Sequence, residues 1–599
     1  MFAPDHRTQA WSALTATHDI LVIGGGITGA GIAREAARLK LRVALVEQRD
    51  FAWGTSSRSS KLVHGGLRYL KEGRIFLTRA SVSERQRLLD EGAGLIDPLG
   101  FLLATYKGDS PGRRMYGAGL SVYDLLALQW SHRYYSAADF KQLAPFLADE
   151  GLQGGFRYGD AQTDDARLVL RVLSEAAGDG ALLLNYASAA SLLREASGAV
   201  TGAVVSDCSG EGRGPVAVRA KVVINATGAW ADRLRRDVGG VERIRPLRGS
   251  HLIFPAWRLP VTQALSFLHP LDRRPVFIFP WEGITLVGTT DVDHSEDLTG
   301  DRADGEPRIS PEEVAYLMAA VASQFPTLGL TLDDAISTFA GVRPVIGTGK
   351  ADPSKESRDH VVWEESGLLT VTGGKLTTFR RIALDALKIA SKRIPQIREP
   401  SARVPVLSPV NVPLGRADLS EAERRRLLGR YGNHAPALVA AAREGELERV
   451  PGAATLWAEL RWAARTEGVV HLDDLLLRRT RLGLLLPNGG QDILPRVGAV
   501  CREELRWDDA AWREEARRYQ RLWTMYYSLP DPRSVPDWRK QLESAAERRA
   551  VRLFVRSQRR RKYWVRGGIA SGAVAGAGLL AGLGRWAWRR RSRMGRRLN

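Results

Sequence analysis

Asp19-Ile20-Leu21-Val22-Ile23-Gly24-Gly25-Gly26-Ile27-Thr28-Gly29-Ala30-Gly31 decides the fold of this chain. Ile20–Ile23 is a continuous apolar run, as a strand buried on both faces requires, and it leads directly into Gly24-x-Gly26-x-x-Gly29. In that pattern one glycine makes a tight turn, one lets backbone approach a pyrophosphate, and one lets the following helix pack closely on the strand. The helix N-terminus then offers free N–H groups and partial positive charge to phosphates. An alanine-rich run to Lys40 and a second apolar run, Leu41–Val46, end in Glu47, one helix and one strand beyond Gly29. A carboxylate there accepts hydrogen bonds from ribose hydroxyls and favours a free 2′-hydroxyl over a 2′-phosphate. Strand, glycine turn, helix, strand and acid in register predict a dinucleotide site, where the glycines alone would fit an ordinary tight turn.

Four further stretches extend this site. Gly54 to Leu70 is rich in hydroxyls and glycines and predicts a loop close after the ribose-binding acid. Thr55, Ser56, Ser57, Ser60, Lys61, Leu62, Gly65 and Gly66 are its candidate cofactor contacts, with His64 and Arg68 placed to reach a ring or substrate. A merely solvated serine loop is the plainer alternative, and it fits Lys61, His64 and Arg68 less well. Val222–Asn225 is a second buried strand, ending in Ala226-Thr227-Gly228, and such strand ends meet at the ligand in a nucleotide-binding sheet. Leu369–Thr372 leads into Gly373-Gly374-Lys375-Leu376-Thr377, again strand, glycine pair and helix, whose N-terminus can stabilise negative charge on a reduced ring. Between these, strands at Val276–Trp281 and Leu286–Asp291 predict a pocket wall, with His251 and Arg343 as polar tips on neighbouring stretches. Three glycine turns at strand ends suit FAD, a long cofactor held at adenine, pyrophosphate and ring, better than a nicotinamide.

Composition excludes several classes. Of 599 residues only Cys208 and Cys501 are cysteines, which rules out a disulfide framework, a zinc ribbon and a four-cysteine cluster. The net charge of +20 resembles a nucleic-acid signal until it is located. Residues 551–599 hold 14 Lys/Arg and no acid, so the remainder carries 73 basic against 67 acidic residues, and a nucleic-acid partner is disfavoured. Within that tail an uncharged stretch, Gly567 to Gly584, lies between arginine clusters, with Trp564 and Trp586 at the ends. As a helix, Trp564 to Trp586 would span about 33 Å, near a bilayer core, but seven Gly and five Ala against five Leu/Ile/Val between Gly567 and Gly584 make insertion marginal. A membrane span, a basic surface anchor and a solvated tail all remain open. The stretch from Met1 to His18 shows neither a secretory signal nor an Arg-rich transit peptide, so the globular part is expected on the cytoplasmic side of the cell membrane.

Gly24 to Gly31, Thr55 to Leu70, Asn225 to Trp230, Gly249-Ser250-His251, Gly288–Asp291, Gly341-Val342-Arg343-Pro344 and Gly373–Thr378, in order, resemble the FAD-dependent, aerobic, quinone-linked glycerol-3-phosphate dehydrogenase family. Asp164–Arg167 and Asp473 to Thr480 fit the same pattern, and His64-Gly65-Gly66-Leu67-Arg68-Tyr69 is its most specific piece. The resemblance implies an α/β fold: a Rossmann-type FAD-binding domain with an inserted mixed-sheet substrate domain, plus a helical C-terminal domain. FAD-binding segments fall at 17–75, 221–242 and 341–396, a mixed segment at 76–220, the substrate domain at 243–340, a linker at 397–417, the helical domain at 418–546 and the tail at 547–599.

The implied reaction is oxidation of sn-glycerol 3-phosphate to dihydroxyacetone phosphate by hydride transfer to flavin, with electrons passed to a quinone. A phosphate dianion calls for Arg343, with Lys375 as a point charge and Arg68 as a further substrate contact. Loss of the hydroxyl proton calls for a base, for which His251 is first choice and His64 second. A glycerol-3-phosphate oxidase, an amine or 2-hydroxy-acid oxidase of the same fold, and an FAD-binding redox sensor are the alternatives. A quinone, a membrane surface and, as an open assembly, a homodimer complete the expected partners. No metal is expected.

Overall fold

The computed structural model describes residues 4–547 except 68, 69, 71, 72, 110, 111, 296–304, 348–358, 399–403, 416, 417 and 546. Arg68 and the whole basic tail therefore lie outside the described residues.

The quoted stretch forms the strand His18–Ile23 and the helix Ile27–Arg38, and a sheet grows on both sides of the strand. In spatial order its main strands are His360–Glu365, Leu368–Gly373, Val216–Asn225, His18–Ile23, Val43–Val46 and Leu182–Leu184. All of these pair in parallel except the first, and a hairpin, Ala187–Arg194 with Val200–Asp207, extends Val216–Asn225. Full burial of Ile20, Leu21, Val22 and of Val222, Val223, Ile224 explains why both runs are apolar without alternation. Helix Ile27–Arg38 packs between Asp165–Gly178 and Phe379–Ala390. Its small residues make this possible: a Cβ on Gly31 would come within 2.9 Å of the Phe379 ring. The N-terminal residues belong to this layer too. Helix Pro4–Ala13 buries Ala10 and Trp11 against it, and Arg7 donates to the Asn185 carbonyl at 2.7 Å.

The second sheet is ten-stranded and mostly antiparallel, with one parallel pair, Ala264–Leu268 beside Ile96–Tyr106. Strand Ile244–Pro255 pairs with Ile284–Gly288 on one side and Ser337–Ile346 on the other, so Arg248 faces Val342 and His251 faces Phe339 in register. Two sequence expectations change here. Residues 75–150, whose many Leu, Arg and Tyr follow a mainly helical pattern in the sequence, contain the eleven-residue strand Ile96–Tyr106, whose partner Leu152–Thr163 supplies the pairing that local periodicity hides. The boundary at 340/341 cuts a strand: Arg343 belongs to the second sheet and not to the parallel one.

The helical C-terminal region closes one small cluster of its own, with Leu427, Tyr431, Leu438 and Trp462, and gives the rest of its apolar side chains to the second sheet. Leu475, Leu476, Leu484, Tyr519 and Trp523 share one apolar cluster with Ile253, Phe279, Trp281 and Phe339 of the second sheet. The expected linker 397–417 is packed where it is described: Val406 and Leu407 are buried, and their N–H groups donate to the Glu91 carboxylate. Met115–Trp130 is a largely apolar run of sequence that suits either core or a surface patch, and the structure makes it the latter. In helix Arg113–Ala127 only Leu120, Tyr123 and Asp124 are buried, whereas Met115, Val122, Leu125, Leu128 and Trp130 are exposed. Asp124, the charge inside that apolar run, accepts from the N–H groups of Ser131 and His132 and closes the turn after the helix. No described helix is long and apolar enough to cross a membrane.

A paired substitution tests this packing. A Cβ on Gly29 would meet the Gly24 carbonyl oxygen at 1.9 Å, whereas one on Gly119 meets nothing within 4 Å. Gly29→Ala should cost roughly 3 kcal/mol or more, because backbone must move. Gly119→Ala, in a helix interior, should gain about 0.5–1 kcal/mol. Denaturant unfolding of both variants checks the contrast.

Candidate functional site

The three glycine turns meet in one groove. Gly24 has φ +116°, and its N–H donates to the Val46 carbonyl while the Ala226 N–H donates to the Ile23 carbonyl, each at 2.8 Å. A Cβ on Gly24 would lie 2.6 Å from the Ala226 carbonyl oxygen, so two turns touch backbone to backbone. The third joins them through Thr372, whose hydroxyl donates to the Gly228 carbonyl at 3.1 Å. Gly24, Gly26, Ala226, Thr227, Gly228, Gly374, Lys375 and Leu376 all line the groove, as the sequence predicts, and so does Glu47. Its carboxylate accepts from the N–H groups of Gly25 at 2.7 Å and Arg49 at 3.0 Å, which fixes it beside the first turn. Burial pushes the Glu47 carboxyl above its usual range, although those two N–H groups favour the anion.

The serine loop divides its residues between the groove and the interior. Thr55 and Ser56 line the groove, as does Ser59, which the sequence reading left out. The Ser56 hydroxyl accepts from Ile27 N–H at 2.9 Å, at the start of helix Ile27–Arg38 where a pyrophosphate belongs. Ser57, Lys61 and Leu62 face inward. Lys61 is fully buried, and its Nζ donates to Asp165 at 2.9 Å and to the Ser57 carbonyl at 3.1 Å. Burial, and next the Arg481 charge, bring its pKa down to about 8. Gly65 donates its N–H to Asp160 at 3.0 Å and leaves no room for a side chain, since a Cβ would sit 2.2 Å from the Tyr123 hydroxyl. Gly66, at φ +80°, carries the turn, and the His64 carbonyl accepts from the Thr377 hydroxyl at 3.3 Å. That bond fastens the serine loop to the third glycine turn. Thr377 itself is buried.

The substrate candidates separate. Lys375 lines the groove, and its Nζ donates to the Ser81 hydroxyl at 3.3 Å. Arg343 is partly exposed and donates to Asp291 and to the Thr289 hydroxyl, each at 3.3 Å. Gly249 makes room for it: a Cβ there would meet the guanidinium at 2.6 Å. His251 is 1% exposed and does not line the groove. Its ring stacks on Phe339 at 4.5 Å, fills the space a Gly288 side chain would take, and is hydrogen-bonded through Nε2 to the Ser60 hydroxyl at 2.9 Å. Burial first, then the charges of Lys61 and Arg343, hold it well below its ordinary pKa. The sequence reading makes His251 first choice for the base; in the structure it is enclosed and pins the serine loop through Ser60.

Trp53 and Trp230 also line the groove, with ring centroids 5.6 Å apart and the Arg49 guanidinium 4.3 Å above Trp53. Each follows a quoted motif, Glu47 and Gly228 respectively, so their position was a readable signal. Among the described residues no group of His, Cys, Asp and Glu could hold a metal ion. The donor set fits FAD: two helix N-termini, a fixed acid, hydroxyls and backbone where side chains are excluded.

Residues 19–380 match the family described as FAD dependent oxidoreductase, and residues 393–512 match the C-terminal domain of alpha-glycerophosphate oxidase. An aerobic glycerol-3-phosphate dehydrogenase of Staphylococcus epidermidis is 35% identical over 512 residues, 81% of this chain and 89% of that one. One from Staphylococcus aureus is 39% identical over 384 residues, 63% of this chain and 67% of its own. Among solved structures, glycerol-3-phosphate dehydrogenase from Bacillus halodurans complexed with FAD superposes with a TM-score of 0.70 at 28% identity, covering 88% of this chain and 98% of that one.

The buried state of His251 has a measurable sign. An unfolded chain protonates this imidazole as pH falls through the ordinary value of 6.5, whereas the native state does not. The native state therefore loses stability below about pH 6.5, by up to about 1.4 kcal/mol per pH unit from this group. The stability difference between wild type and His251→Asn, measured by urea unfolding from pH 7.5 to 5, should be flat above 6.5 and change only below it.

Proposed function

We propose, from the premise that the chain belongs to the FAD-dependent oxidoreductases and within them to the aerobic glycerol-3-phosphate dehydrogenase family, how its own residues perform that family's reaction. The protein is an FAD-dependent oxidoreductase acting on glycerol 3-phosphate. The observation that carries the reading is the convergence of three glycine turns and Lys375 on one groove, within a chain that matches its relatives along most of its length. Bound FAD supplies the two-electron acceptor for the carbinol carbon.

The protein's residues do the rest. The N-terminus of helix Ile27–Arg38 and Ser56 hold the pyrophosphate, and Glu47 meets the ribose. Arg343, aimed by Asp291 and Thr289, takes the substrate phosphate, because a planar guanidinium with its orientation already fixed binds two oxygens at once. Lys375 adds positive charge at the ring end of the groove. Of the two histidines, His64 is the better proton acceptor: it is half-buried in the loop tied to Thr377, whereas the Nε2 of His251 is engaged by Ser60. Phe277 and Trp281 lie on the strand expected as the pocket wall, and Phe279 and Trp281 belong to the buried core that keeps water from the second sheet.

The acceptor of the electrons is a membrane quinone in this reading, and the protein works at the membrane surface. What supports the second half is the exposed apolar side of helix Arg113–Ala127 and the turn after it, with Met115 66%, Leu125 67%, Leu128 88% and Trp130 70% exposed, and exposed Arg113 and Arg114 at the start of the helix and Arg133 after the turn. Apolar and aromatic side chains rimmed by arginine suit the boundary of an anionic bilayer. Phe76, 89% exposed, begins the neighbouring helix Ile75–Glu91. The second reading, oxygen as acceptor, is favoured by the match of residues 393–512 to the oxidase C-terminal domain.

Anaerobic glycerol 3-phosphate should bleach the visible absorbance of the flavin, and absence of bleaching overturns the reading. Under air, stoichiometric peroxide selects oxygen, and quinone reduction without peroxide selects the quinone. Arg343→Ala should raise KM for glycerol 3-phosphate roughly a hundredfold, because it removes a charge paired with the phosphate. A KM within threefold of wild type sinks the phosphate assignment. Leu125→Glu with Leu128→Glu should release the protein from anionic vesicles in a flotation assay; unchanged flotation assigns attachment elsewhere.

A further inference from the structure

We infer that Tyr527, just past the Asp509–Tyr526 helix, is a positioning residue of the cofactor cradle: it latches the serine loop, so the C-terminal helices and the FAD groove order as one unit. The inference rests on the FAD reading of the groove. It concerns a residue outside the matched family regions, since the C-terminal match stops at residue 512.

The latch works through Arg58, in the middle of the serine loop. Arg58 is 4% exposed, and its guanidinium serves three elements at once. One nitrogen donates to the Trp53 carbonyl at 2.6 Å, and the other donates to the Tyr527 hydroxyl at 2.8 Å and pairs with Glu306 at 3.0 Å. Glu306 in turn accepts from the Trp53 indole N–H at 2.8 Å. Trp53, Thr55 and Ser56 line the groove directly beside this knot. The backbone of Arg58 is confined as well, because its carbonyl oxygen lies 2.6 Å from where a Gly341 side chain would begin.

Tyr527 is itself immobilised from behind. Its carbonyl accepts from Thr338 N–H at 2.7 Å, on the strand that carries Phe339 and Arg343. Its N–H donates to the Trp523 carbonyl at 2.8 Å, and the Trp523 indole donates to the Gly483 carbonyl at 2.7 Å. A second C-terminal residue grips the same loop next to Arg58: Arg481 donates to the Ser57 carbonyl at 2.7 Å. Without the Tyr527 hydroxyl, a buried guanidinium N–H beside Trp53 loses its partner, and a bond to a charged group is among the costlier ones to leave unmade. The loop that bears Thr55 and Ser56 then relaxes away from the groove. Coupling of this kind is reciprocal, so bound FAD must also order the end of the helix.

The test uses full-length protein stripped of flavin and titrated with FAD, following quenching of flavin fluorescence. Tyr527→Phe should weaken FAD binding roughly tenfold, the size expected for one hydrogen bond to a charged group. Tyr519→Phe is the control: its buried hydroxyl donates to the Gly489 carbonyl at 2.7 Å and touches no part of the loop, so it should lower Tm and leave FAD affinity unchanged. Equal FAD affinity in Tyr527→Phe and wild type, or equal weakening in both variants, overturns the latch. Should Tyr527→Phe fail to fold, hydrogen exchange of wild type decides: FAD should slow exchange at 519–527, and FAD-independent exchange there overturns the inference. A wild-type protein that takes up no FAD overturns the cofactor reading and the latch with it.

Discussion

The contact of Gly24 with Ala226, backbone against backbone, is the constraint on which the rest of the structure depends. No side chain fits between the two turns: the hypothetical Cβ on Gly24 lies 2.6 Å from the Ala226 carbonyl oxygen and 2.8 Å from its carbonyl carbon. Because both strands are parallel neighbours, with Ile23 paired to Asn225, the turns leave the sheet at the same edge and in the same direction. A groove at the carboxyl edge of a parallel sheet follows from that geometry. Gly29 extends the constraint by one helical turn, since its approach to the Gly24 carbonyl sets how closely the helix lies on the strand.

Buried charge does the remaining positioning. Asp50, three positions past Glu47, is fully buried and accepts from both Arg478 and Arg479; the shortest of these bonds are 2.5 Å. Arg478 also meets Asp473 and Asp474, and Tyr186 donates to Asp474 at 2.7 Å. These arginines lie on a wide π-helical turn, Asp474–Arg479, that brings consecutive guanidinium groups to one carboxylate. Taking so many charges out of water is costly, and it is tolerated because each is answered by an opposite charge or by several hydrogen bonds. Such a network specifies one arrangement of two segments from opposite ends of the folded chain, the loop after Glu47 and the C-terminal helices. Arg167, which pairs with Glu467 at 2.5 Å and donates to the Arg479 carbonyl at 2.6 Å, repeats the device on the next helix.

What was legible in the sequence was local. The glycine turns, the acid after the second strand and the strand ending at Gly373 each depend on residues within one supersecondary unit, and the structure places each of them as read. What was not legible depends on partners far along the chain. Periodicity could not reveal strand Ile96–Tyr106, because its partner Leu152–Thr163 lies beyond two intervening helices. Nor could it show that Lys61 points inward, since the reason is the buried Asp165 carboxylate, more than a hundred positions along the chain, which also pairs with Arg481. His251 misled for the same cause: the residue type suits acid–base work, but its register against Phe339 and Gly288 encloses it.

The two sheets divide the chemistry, and the division explains where specificity can change. In the proposed reading the parallel sheet would hold the cofactor through backbone and helix ends, which suit a pyrophosphate. The antiparallel sheet presents side chains, Arg343 above all, on strands whose register fixes their direction but not their identity. Between them runs the Thr55 hydroxyl, which donates to the Val342 carbonyl at 2.5 Å and joins the cofactor loop to the residue before Arg343. Because that junction is made to backbone, a different side chain at 343 leaves it intact. If Arg343 takes the substrate phosphate as proposed, substrate choice on this scaffold is separable from flavin binding, whereas a change at Gly24, Gly29 or Arg58 moves the backbone that both share.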